Sequence, residues 1–219
     1  ATAGDEVQRA LAAAGYSRGR DLLVHSSFSS VKAALSGPEE LIDALAAAVG
    51  ARGRLLFPAL SYEYVKPENP VFDARLTRSC VGHLAEYFRT RRPTARSLHP
   101  THSVSGIGPG IEEFLGAHEL DSTPVGPNSP FARLRDSGGA ILMLGCGLEP
   151  CTSMHGVEEL AEPDYLYGPE MDYRLVSADG ATRVRRYRTH GFAGTRQRYD
   201  RLEEAMAEPE LIRFELLGA

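Results

Sequence analysis

The chain has 219 residues, 42% of them hydrophobic and 24% charged, which is enough apolar content to bury one sizeable core. A formal charge of −5 without a long block of like charge argues against a nucleic-acid partner, and the longest apolar runs, around Leu41 to Val49 and Ala140 to Leu144, fall far short of the roughly 20 residues a bilayer span requires. Cys80, Cys146 and Cys151 show no paired spacing, and Ala1 to Arg9 lack the basic flank and apolar segment of a signal peptide, so the expectation is a cytoplasmic enzyme with one domain over residues 1–219.

Asp5 is placed to cap a first helix with Val7, Leu11 and Ala14 on one stripe and Gly15 past its end. Asp21 to His25 is a short apolar run, a strand that stops in a turn of four serines and a phenylalanine. Ser36 followed three residues later by Glu39 has the form of a capping box; it opens an amphipathic helix over Glu40 to Val49, and Gly50 closes it. Arg54 to Phe57 reads as a buried strand ended by Pro58, and Val81, Leu84, Ala85 and Phe88 repeat at helical spacing. Gly139 to Gly145 is the strongest buried-strand signal. Tyr173 to Val176 and Ala181 to Tyr187 flank Asp179-Gly180, a hairpin turn dipeptide. Helices alternating with apolar strands, plus one antiparallel hairpin, predict a layered α/β fold: a mixed β-sheet flanked by helices.

Three stretches carry more hydrogen-bonding groups beside apolar strand ends than folding alone requires. His25-Ser26-Ser27-Phe28-Ser29-Ser30 is either an ordinary serine-rich cap and turn or a cradle of amides and hydroxyls for a phosphate. Arg96 to Gly106 places an arginine, His99, His102 and three serines together; an anion site on Arg96, a pair of histidine metal ligands, and a loop of mutually satisfied polar groups all remain open. In Thr152-Ser153-Met154-His155-Gly156-Val157-Glu158, a cap at Thr152 or Ser153 puts His155 in a first helical turn with Glu158 one turn on along the same face. A carboxylate so placed fixes an imidazole tautomer and raises its basicity, as a general base requires, although a structural histidine fits the same spacing.

Together these segments resemble the aminoglycoside 3-N-acetyltransferase, or antibiotic N-acetyltransferase, family. The shared order runs from Leu22 to Ser27, through the Ile42 to Leu45 helix, Phe57-Pro58, Phe72-Asp73 before Gly82, and Phe88-Arg89. It continues with Arg96-Ser97-x-His99-Pro100-x-His102-Ser103, Asn128 to Phe131, Ile141 to Gly145, and Thr152-x-x-His155-x-x-Glu158. The resemblance implies a non-GNAT acetyltransferase fold and transfer of acetyl from acetyl-coenzyme A to an amine of an aminoglycoside or another small amine.

It further implies that His25, Ser26, Ser27, Phe28, Ser29, Arg96, Ser97 and Ser103 bind coenzyme A, that His155 is the base toward the acceptor amine with Glu158 as its helical carboxylate, and that Asp73, His102 and Glu162 lie on the acceptor side. The family's other acidic partner for the histidine comes from its C-terminal part, where Asp200 is the candidate. No metal is expected. Two further readings are a metal-assisted hydrolase built on His99, His102 and His155, and a non-catalytic coenzyme A-binding protein.

Overall fold

The computed structural model describes residues 2–92 and 94–219. In chain order its elements are α1 (Ala3–Ala13), β1 (Leu22–Ser26), α2 (Phe28–Val31), α3 (Pro38–Val49), β2 (Leu55–Pro58), β3 (Val71–Asp73), α4 (His83–Arg91), β4 (Ala95–Arg96) and β5 (Val104–Ile107). There follow α5 (Ile111–Gly116), α6 (Pro130–Asp136), β6 (Ala140–Leu144), α7 (Met154–Ala161), β7 (Tyr167–Val176), β8 (Thr182–His190) and α8 (Leu202–Ala205).

Five strands form a mixed sheet in the order β4-β5-β2-β1-β6, with β1 parallel to both β2 and β6 and with β5 antiparallel to β2 and β4. The alternation of strand side chains divides the core between its two faces. Leu22, Val24, Leu55 and Phe57 pack under α1, α3 and α4 with Val7, Leu41, Leu45 and Phe88, while Leu23, Leu56 and Val104 meet Phe114, Leu115, Phe131 and Leu134 from α5 and α6. Because β1 is covered on both sides, its sequence is a continuous apolar run, as a buried parallel strand must be. A second sheet, β3-β7-β8, buries Phe72, Tyr173, Leu175 and Tyr187 in a small core of its own.

The predicted α/β class and helix-flanked mixed sheet are what the chain adopts, with local differences. The cap of α1 is Thr2, in a reciprocal capping box with Asp5, because the hydroxyl reaches the third helical amide and Asp5 reaches back. Ser36 is bonded through its amide and hydroxyl to Glu40 rather than Glu39, since Pro38 occupies the first helical position of α3. The β7–β8 hairpin extends well beyond the predicted strands, as its outer half alternates arginines and acids that carry no hydrophobic period. Among the described residues no helix is long and apolar enough to cross a membrane.

Candidate active site

The parallel strands β1, β2 and β6 end side by side, and a cleft of about 540 Å³ opens at their carboxyl ends, the edge at which open α/β sheets take ligands. Its walls include His25 and Ser26 from the end of β1, Ser27, Phe28 and Ser29 from the turn beyond, and Lys32. Pro58 from β2, Gly82 and His83 at the start of α4, and Cys146 past β6 complete it.

The serine turn is ordered by its own hydroxyls. Ser27 Oγ lies 3.0 Å from Ser29 Oγ and 3.2 Å from Ser30 Oγ, and Ser30 donates to the carbonyl of Gly145 at 3.0 Å. Ser27 makes no side-chain cap bond to α2, so the leading amides of this turn stay available for an anionic oxygen. The close pass of β6 behind the turn needs glycine: Gly145 has φ +67°, and a Cβ there would stand 2.7 Å from that of Ser30. Burial pushes the Cys146 thiol up to about 11 and raises that of Cys151 as well, so neither is activated as a nucleophile at neutral pH.

Thr152, three residues before His155, also lines the cleft, and α7 starts immediately after it. Ser153 makes no side-chain cap bond, contrary to the capping expected there, yet the helix still sets His155 and Glu158 on one face. Nδ1 of His155 lies 3.1 Å from Glu158 Oε2. Tyr199 is 2.6 Å from the same nitrogen and donates to the same carboxylate oxygen, and Tyr165 donates to Glu158 Oε1 at 2.9 Å. The arrangement is self-consistent with the proton on Nδ1, shared between Tyr199 and Glu158, which leaves the Nε2 lone pair free.

Burial lowers the pKa of His155, against the opposing effect of its hydrogen bond to Glu158, so the ring is neutral at pH 7. Burial also works against the Glu158 carboxylate, but the hydrogen bonds from Tyr199, His155 and Tyr165 outweigh it and hold that group below its ordinary value. The result is a neutral imidazole backed by a fixed negative charge. His102 stands with its ring centroid 5.9 Å from that of His155, and Phe192, at 5.1 Å, forms an apolar wall.

Other predicted residues lie away from the cleft wall. Arg96 is turned inward: its guanidinium stacks 4.7 Å over the Phe72 ring and donates to Ser103 Oγ and to the carbonyls of Ala59, Ala74 and Thr77. Ser103 donates to Ala59 O at 2.8 Å, and Ser97 Oγ bridges the Val104 amide and His118, with both serines buried. Arg96 ties the edge of the large sheet to β3 and the turn after it, and none of the three lines the cleft wall.

On the acceptor side, Asp73 accepts the amides of Arg75 and Leu76 and so closes the turn after β3. Glu162 is the exposed, left-handed cap of α7. Asp200 pairs with Arg198 at 2.7 Å on the surface, and its neighbour Tyr199 makes the contact expected of it. His99 accepts the amides of Thr101 and His102 on Nδ1 and stacks on His118, so it does not join His102 and His155.

Sequence reasoning missed Lys32, His83, Tyr165, Glu159, His190 and Tyr199. His190 lies beside His155, with centroids 5.0 Å apart, and its Nε2 is 2.7 Å from Glu159 Oε1. The available signals were one of only two lysines following the serine turn, and a histidine next to a glycine just beyond a predicted strand.

The fold is an open mixed α/β sheet with a cleft at the carboxyl edge of its parallel strands and a neutral, hydrogen-bonded imidazole in the helix that begins beside it. The family profile described as aminoglycoside 3-N-acetyltransferase matches residues 23–219. Aminoglycoside N(3)-acetyltransferase VIII of Streptomyces fradiae is 33% identical over 171 residues, which cover 70% of this chain and 59% of that one. The solved structure of AAC-IIIb in a binary complex with CoASH shares 30% identity at a TM-score of 0.80, covering 100% of this chain and 88% of that one. A histidine-to-alanine mutant of AAC(3)-IVa in complex with gentamicin C1A shares 32% identity at a TM-score of 0.69, with 84% and 69% covered. The chain belongs to the aminoglycoside 3-N-acetyltransferase family. It spans about 59% of the length of the first curated relative it matches.

Proposed function

We propose that the chain transfers the acetyl group of acetyl-coenzyme A directly to an amine of an aminoglycoside, with His155 as general base. The observation that carries this reading is the neutral His155, backed by Glu158 and Tyr199, in the helix that starts at the cleft wall. Support for the two substrates comes from relatives named for this activity and from the CoASH and gentamicin C1A complexes of similar structures.

In this mechanism the serine turn and Lys32 hold coenzyme A phosphates and place the thioester at the strand ends. The acceptor amine attacks the thioester carbonyl carbon as Nε2 of His155 takes its proton. The tetrahedral intermediate then expels the coenzyme A thiolate, the C–S bond breaks, and the proton held on His155 completes the free thiol. Glu158 stabilises the imidazolium without being protonated, a role suited to its depressed pKa.

Glu170 and Asp172 both engage Arg186 on the surface. His102, beside His155, is the acceptor-side group of this reading. The test is thiol release from acetyl-coenzyme A with a panel of aminoglycosides and simple amines, with products identified by mass spectrometry. A mono-acetylated aminoglycoside formed in step with free thiol is the expected result; release no faster than buffer hydrolysis with every amine would refute the activity.

A further inference from the structure

Beside the proposed base, three imidazoles converge. His102, His155 and His190 each offer a ring nitrogen, and these nitrogens all lie within 4.8 Å of one another. The rings meet edge-on, at interplanar angles of 74°, 79° and 62°, so they do not stack.

In each ring the other nitrogen is already held by an oxygen. Thr101 Oγ1 is 2.8 Å from His102 Nδ1, Glu158 Oε2 is 3.1 Å from His155 Nδ1, and Glu159 Oε1 is 2.7 Å from His190 Nε2. Glu159 is itself fixed by Thr123 and the Val125 amide. The remaining nitrogen of His190, Nδ1, is buried without a hydrogen-bond partner, in a side chain only 1% exposed. An isolated imidazole nitrogen in such a place is costly unless something occupies the space it faces.

We propose that His102, His155 and His190 form a binding site for a divalent first-row transition metal of the zinc type, and that its occupancy switches off acetyl transfer. Three imidazoles, each with an oxygen on its second nitrogen, are the ligand set and supporting shell that zinc sites use. With metal–nitrogen bonds of about 2.0–2.1 Å in tetrahedral geometry, ligand nitrogens sit about 3.4 Å apart, so each ring moves inward by less than about 1 Å to close the site. A fourth position is left for water.

The inhibition follows from a shared lone pair: Nε2 of His155 cannot hold a metal and take a proton from the amine. This consequence rests on the proposed role of His155, whereas metal binding does not.

Protein dialysed against chelator is titrated with Co²⁺, read by its d–d absorption, and with Zn²⁺ by calorimetry. One ion per chain is expected, with the absorption strength of a four-coordinate site and no thiolate-to-metal charge-transfer band from Cys146 or Cys151. His190→Ala and His102→Ala, which lie on different elements, each weaken binding at least 100-fold while circular dichroism shows a folded chain; Glu159→Gln weakens it about 10-fold. Absence of a stoichiometric ion, a thiolate band, or unchanged affinity in the folded histidine variants overturns the site. Zn²⁺-loaded protein is expected to lose acetyl transfer and regain it with chelator, and full transfer by loaded protein overturns the switch. Failure of the metal-free protein to acetylate any amine would remove the proposed function and leave the binding result standing.

Discussion

The serine turn after β1 and the Arg96–Ser103 segment are both rich in hydroxyls, yet the fold uses them in opposite ways. The first sits at the carboxyl ends of two parallel pairings, where the strands stop and the backbone turns into a cleft, and its hydroxyls bond mainly to one another. The second runs along the antiparallel edge through β4 and β5, and its polar groups are consumed by backbone carbonyls and amides between the two sheets. Polar density in a sequence therefore does not separate a ligand site from an internal joint. What separates them is whether each donor already has an acceptor in the folded chain.

This contrast is open to experiment. Arg96→Ala removes the guanidinium donors to the carbonyls of Ala74 and Thr77, takes one of two donors from Ala59 and strips a cation from the Phe72 ring, at a cost of about 3 kcal/mol. Tm is expected to fall by roughly 10 °C, while the folded variant binds coenzyme A as the parent does. Tighter dependence on the cofactor than on stability, measured by calorimetry beside thermal melts, would return Arg96 to the binding site.

Acid stability gives a smaller effect from the same buried joint. Burial lowers His118, and likewise His25, from 6.5 to about 4. Between those values the unfolded chain binds more protons than the folded one, so stability is fully present above pH 6.5 and is lost as pH falls toward 4, by roughly 2 kcal/mol per group between pH 7 and 5. Urea unfolding at the two pH values measures this loss, and His118→Asn is expected to flatten part of it; equal stability at both would contradict the assignment.

Smaller still, Lys32→Ala on the turn side weakens coenzyme A affinity about tenfold at low salt with little change in Tm, since the side chain is exposed and its pairing with phosphate is screened. Loss of stability without loss of affinity would reverse the roles drawn for the two segments.

The sequence carried the centre of the large sheet well, because β1 and β2 are buried on both faces and their apolar runs have no competing reading. It also singled out His155, Glu158 and the serine turn, which lie within a few residues of strand ends and whose proposed roles are open to direct test. It did not carry His190 or Tyr199. Both reach the site through tertiary contacts from β8 and the segment beyond it, 31 and 44 residues from the groups they touch. Nothing local marks them. For Arg96 the sequence leaves the partner open, because guanidinium groups serve phosphates and backbone carbonyls with the same donors; in the folded chain those donors meet the carbonyls of Ala59, Ala74 and Thr77.

The most direct test replaces His155 with glutamine and measures, on one preparation, coenzyme A affinity by calorimetry and single-turnover acetyl transfer to an aminoglycoside. Unchanged affinity with transfer slowed by about 10²–10⁴-fold is the predicted result. Transfer at the parental rate, with the cofactor still bound, would show that the proton leaves the amine by another route.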